Sequence, residues 1–178
     1  MIYQGIEDER RFIARSAEEL DQYLSSEVLL WRMAGIDLPL CPGNLMLSSD
    51  RLNAAADAAT KPAILAVKDL IKRRRIAWEK KVNKELPMRI NQWQEQVREI
   101  RQYGILDASY PYNVRTRVII KLLITEIRYP DNEQEMKLSQ ADESLLRMAK
   151  PGSFVWDEVL VDTFPQEAYP YLYLQTGR

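Results

Sequence analysis

Apolar residues recur along residues 62–103 at Ile64, Val67, Ile71, Trp78, Val82, Leu86, Ile90, Trp93, Val97 and Ile100. Steps of three, four and seven place them on one face of a helix. A straight helix of that length would reach roughly 60 Å at about 1.5 Å per residue. Pro87 is the one fault in the stretch. It has no amide to give and crowds the carbonyl of Asn83, at a cost of about 3 kcal/mol. The apolar phase holds through Val82, Leu86 and Ile90, so the pattern predicts one long helix kinked at Pro87. A hairpin of two helices over 62–103 is the alternative. Gly104 ends the segment.

The flanking pattern predicts shorter helices. Ser16-Ala-Glu-Glu19 reads as a capping box, opening a helix with Leu20, Tyr23, Leu24, Val28, Trp31 and Met33 inward and Gly35 as a left-handed stop. Residues 36–49 hold Pro39, Pro42 and Gly43 and read as a loop pressed onto the core. Residues 50–59 read as a short alanine-rich helix, and Thr60-Lys-Pro62 as a fresh start. After a loop at 105–112, residues 114–129 carry Val118, Ile119, Ile120, Leu122, Leu123, Ile124 and Ile127. Polar residues spaced at Arg117, Lys121 and Thr125 favour a helix buried on most sides over a strand. Tyr129-Pro130 stops it. An acidic loop at 131–137 precedes a helix opened by Ser139. Phe154, Trp156, Phe164, Tyr169, Tyr171 and Tyr173 crowd the tail, which reads as an irregular arm over 152–178 with one short turn near 157–162.

This is an all-α reading: a single helical domain over 1–178, one dominant helix, shorter helices gathered about it, and an aromatic C-terminal arm. An apolar fraction of 46% supports a core, and with a charged fraction of 29%, only slightly above that of a typical soluble protein, it argues against disorder over most of the length. No apolar run approaches the roughly 20 residues that span a bilayer. With one cysteine, Cys41, the chain is expected to be soluble and cytoplasmic, without a membrane partner.

Composition narrows the chemistry. There is no histidine. That excludes Ser–His and Cys–His nucleophilic catalysis and imidazole-bound metals. No glycine pattern resembles a phosphate-cradling loop. Asp131, Glu133 and Glu135 alternate like calcium ligands but lack the glycine and terminal Glu of such a loop. Asp157, Glu158 and Asp162 share a helical turn and read as a surface more readily than as an acid–base pair. No catalytic residue, metal or cofactor is expected.

Charge is unevenly laid out. Five Lys/Arg against ten Asp/Glu in residues 1–60 give −5, twelve against five in 61–103 give +7, and eight against eleven in 104–178 give −3. A basic middle between acidic ends points to a polyanion partner or to internal pairing. Arg73, Lys80 and Lys84 cluster opposite the apolar stripe, with Lys72 and Lys81 spread around the rest of the circumference. Arg74 and Arg75 flank the stripe itself.

Two functional expectations follow. One is a non-enzymatic interaction protein that pairs with a second copy through the stripe from Ile64 to Ile100, as a coiled-coil-like homodimer. The other is nucleic-acid binding through Arg73, Lys80, Lys84, Lys72 and Lys81.

Overall fold

The computed structural model describes residues 5–103, 109–127 and 131–176. The fold is all-α, with one two-stranded sheet among the described residues. The chain divides into two compact units, 1–85 and 86–178.

The first unit opens with α1, Ile6–Ser25. It starts ten residues before the capping box. Phe12, Ile13, Leu20, Tyr23 and Leu24 are buried on one face, and Ser16 lies on that same face, donating to Met33 Sδ at 4.0 Å. The shared apolar phase of Phe12 and Ile13 with Leu20 overrides the local start signal. Glu7, Asp8 and Glu9 occupy the first turn, where the helix dipole favours anions.

α1 also stops early. Ser25 Oγ donates to the carbonyl of Asp21 at 2.9 Å, and Ser26 Oγ to that of Tyr23 at 2.8 Å. Hydroxyls that return to the backbone compete with the helix ladder. The predicted continuation to Met33 is instead a loop in which Val28 is exposed and Gly35 takes φ +71°.

α2 runs Pro42–Ala54 through a stretch read as loop. Pro42 sits in the first turn, where its missing amide costs nothing. The Gly43 N–H donates to the buried carboxylate of Glu85 at 2.8 Å, which fixes the start of the helix. Leu45, Leu47 and Leu52 then face the core. A break signal was in truth a start signal. The predicted helix at 50–59 is the end of this one.

α3, Lys61–Arg73, begins where Pro62 predicts, and α4 follows as Arg75–Tyr103. The long helix is therefore divided, but at Arg74 and not at Pro87. Arg74 has φ −106° and ψ 31°, and α4 runs on through Pro87. At the divide, Arg74 Nη1 donates to Asp21 Oδ1 at 2.6 Å and Nη2 to Ser25 Oγ at 2.9 Å. The break thus coincides with a tie from Arg74 to the end of α1. α1 packs on both α2 and α3. Glu9 and Arg51 form a buried pair at 3.0 Å between α1 and α2.

The second unit takes α4 from Leu86 onward, with α5 (Tyr110–Asn113), α6 (Arg115–Glu126) and α7 (Asn132–Met148). The helix reading of α6 holds; Val118, Ile119, Ile120, Leu122 and Leu123 are buried. α7 begins seven residues before the expected Ser139. Asp131 caps it by accepting from the Glu133 N–H at 2.8 Å, and Glu133 and Glu135 sit in the dipole-favoured first turn. The calcium-like alternation is thus the start of a helix. Gly104 and the Tyr129-Pro130 stop lie outside the described residues.

β1, Ala149–Pro151, pairs antiparallel with β2, Leu174–Thr176. Between them the aromatic residues stack in series. Trp156–Phe164, Phe164–Tyr169 and Tyr169–Tyr171 have ring centroids 5.3, 5.2 and 6.1 Å apart, all edge-to-face. Trp156, Phe164 and Tyr171 are buried, so the tail is part of the core. Asp157 caps a short 3₁₀ turn at Glu158–Leu160.

Candidate functional site

The stripe residues come first, because they carried the expectation of self-association. Ile64, Val67, Trp78, Val82, Leu86, Ile90, Trp93, Val97 and Ile100 are all 9% exposed or less in a single chain. Ile71 is partly exposed. The expectation assumed that the chain had too little of its own to cover so long a seam. α1 packs on α3 and covers the early part, and the residues from Leu86 onward are buried in a unit of their own. The seam is occupied by the chain itself.

The basic residues lie elsewhere. A cavity of about 660 Å³ opens where α1 ends and α3 gives way to α4. Its lining includes Arg73, Arg74, Arg75, Lys80, Lys81 and Lys84, with Glu27 as the one carboxylate among the described residues. Four of the five predicted nucleic-acid contacts, Arg73, Lys80, Lys81 and Lys84, are brought together here. Lys72 is exposed but does not line the cavity.

These cations are not equivalent. Lys81 is buried, with Nζ donating to the carbonyls of Ser26 at 2.9 Å and Val28 at 2.5 Å and lying 4.3 Å from the Tyr23 ring centre. It ties α4 to two carbonyls of the loop just past the end of α1. Burial, and then the nearby Lys84 charge, push its pKa down. Lys81 is therefore a structural residue, which corrects its place among the predicted contacts. No spacing on α4 signals this, because the carbonyls it meets lie 55 and 53 residues away.

Three exposed cations have carboxylate partners. Arg74 meets Asp21 at 2.6 Å, Lys84 meets Glu27 at 2.8 Å, and Arg75 meets Glu79 at 2.7 Å. The Lys84 hydrogen bond holds the Glu27 carboxyl below its usual range. Pairs this open to water contribute little to stability and exchange readily. Arg73 and Lys80 are exposed and make no ion pair or hydrogen bond among the described residues. Among the described residues no aromatic ring lines the cavity, and Ile76 stands at it 75% exposed. The arrangement can hold several phosphates or carboxylates by charge, and it offers no platform on which bases stack.

No helix among the described residues is long and apolar enough to cross a membrane. No family model, curated protein or solved structure matches the chain significantly.

Proposed function

We propose that the protein is a non-enzymatic binding protein whose basic cavity takes the backbone of a nucleic acid without reading its sequence. One observation carries this reading. Five cations besides the structural Lys81, from the end of α3, Arg74 and the start of α4, line one opening, with Glu27 the single carboxylate among the described residues of that lining. A solvated helix exterior would scatter such charges; here they converge. Arg73 and Lys80 meet phosphate directly. Arg74 and Lys84 exchange Asp21 and Glu27 for phosphate oxygens, a swap that costs little at an exposed pair. A cytoplasmic location goes with this reading, since the chain's single cysteine is buried beside Glu85.

Self-association through residues 64–100 has less support, because the seam that called for a partner is already covered.

The test is titration of a fluorescein-labelled oligothymidylate, read by anisotropy. Replacing Arg73, Lys80 and Lys84 together by Ala weakens binding at least about 100-fold at low salt, as removal of three phosphate contacts requires. A binding curve unchanged in that variant would overturn the proposal.

A further inference from the structure

In the second unit, α4 and the later part of α7 border an opening of about 400 Å³, lined by Arg101, Gln140, Ser144, Arg147 and Met148. The four residues from α7 stand at steps of four, three and one, which puts them on one side of that helix. Leu138, Ala141 and Leu145 form its buried side and hold it in the core. Arg101 comes from α4, where it follows the buried Val97 and Ile100.

The polar groups here are uncommitted. Arg101, Gln140 and Ser144 make no hydrogen bond or ion pair among the described residues. The Ser144 hydroxyl differs in this from those of Ser25 and Ser49, which return to the carbonyl four residues back at 2.9 and 2.7 Å. Arg147 meets Glu143 at 3.3 Å, through side chains 75% and 63% exposed. Water and other anions readily replace such a partner. No carboxylate lines the opening among the described residues.

The helix dipole accounts for part of this. Arg101 and Arg147 lie in the last turns of α4 and α7, where a cation is favoured. That preference acts on each helix singly. It does not require the two arginines to share one opening, nor to share it with a free amide and a free hydroxyl.

We infer that this opening binds a small phosphate monoester. Arg101 and Arg147 take the phosphoryl oxygens, Ser144 and Gln140 add neutral donors, and Met148 lies against the organic group. A carboxylate offers two oxygens and one charge, which a single guanidinium fork satisfies. A monoester offers three oxygens and about two charges at neutral pH. Two forks and a hydroxyl match the second set. A phosphodiester carries one charge per phosphorus, so the opening favours an ester terminus over a nucleic-acid backbone.

The experiment titrates the intact protein at about pH 8 and constant ionic strength with methyl phosphate and with dimethyl phosphate. The Met148 methyl group, assigned by its loss in Met148→Leu, is followed by ¹H–¹³C correlation NMR. The monoester is expected to saturate with a dissociation constant of order 1 mM. The diester, similar in size but with less charge, is expected to bind at least about tenfold more weakly. Arg101→Gln removes a charge on which nothing in the fold depends, so the melting temperature holds while monoester affinity falls at least about tenfold. Ser144→Ala lowers that affinity about threefold. No saturable shift with methyl phosphate, equal binding of the two esters, or an Arg101→Gln variant that binds as tightly as the parent would each overturn the site. A capped phosphoserine peptide binding at least about tenfold more tightly than methyl phosphate would overturn the small-ligand assignment. Met148 lies in the second unit, so none of these outcomes bears on the basic cavity of the first.

Discussion

Arg74 in the first unit and Arg117 in the second are both paired with an aspartate, yet the two pairs differ in kind. The Arg74–Asp21 contact at 2.6 Å joins side chains 37% and 63% exposed, whereas the Arg117–Asp142 contact at 2.8 Å joins side chains 13% and 25% exposed. Water does most of the work of stabilising the first pair's charges, so the partner is replaceable. The second pair has given up its water and depends on its partner. The same contrast runs between neighbours on α4: Lys80 is solvated and unengaged, while Lys81 is buried and spent on two backbone carbonyls. Available charge, not total charge, is what a ligand meets.

The sharpest way to break this contrast is to remove each arginine. Arg117→Ala leaves Asp142 with the Trp93 indole alone, and urea unfolding should show a loss of about 3 kcal/mol. Arg74→Ala should cost no more than about 1 kcal/mol by the same measurement. Equal losses would mean that burial does not separate the two pairs.

The lysines sharpen it further. Lys81→Met leaves the carbonyls of Ser26 and Val28 without their donor, and should lower stability by about 1–3 kcal/mol. Lys80→Met should stay within about 0.5 kcal/mol of the parent, because nothing in the fold depends on it. Thermal denaturation followed by circular dichroism distinguishes the two.

Alkaline pH probes the buried side of the comparison as a whole. Burial raises the pKa of Tyr23, Tyr110 and Tyr171 above the ordinary value of 10.0. Above pH 10 the unfolded chain ionises these phenols while the folded chain keeps them protonated. The folded state then holds the more protons, so their contribution is full below pH 10 and is lost as pH rises through the folded values. Lys81 and Lys121, with pKa values pushed down by burial, act in the opposite sense just below 10.5. Melting temperature should fall steeply above pH 10, and less steeply in Tyr171→Phe.

The all-α class, the helix at 115–126 and the restart at Pro62 were legible because long apolar periodicity and a first-turn proline speak unambiguously. Starts and stops were less so. The Ser16 capping signal lost to an apolar face that began at Phe12. Pro42-Gly43 read as a break because its anchor, Glu85, lies 42 residues away. Pro87 looked like the fault in the long helix, but the divide falls at Arg74, whose side chain meets Asp21 and Ser25 on a helix about 50 residues earlier. For the candidate site, the cluster of Arg73, Lys80 and Lys84 came from helical spacing alone. The structural role of Lys81 rests on where α1 stops, which no spacing on α4 encodes. The pairing of Arg117 with Asp142 was not legible, because each reads as an ordinary polar residue on an amphipathic helix until the fold brings them together.

The most direct measurement for the basic cavity is the salt dependence of oligothymidylate binding. With three or four phosphates neutralised, the logarithm of affinity should fall against the logarithm of salt with a slope between about −2 and −3. Arg73→Ala with Lys80→Ala should make that slope shallower by about 1.4. A salt-independent affinity, or a slope identical in the parent and the double variant, would contradict a phosphate-binding role for this face.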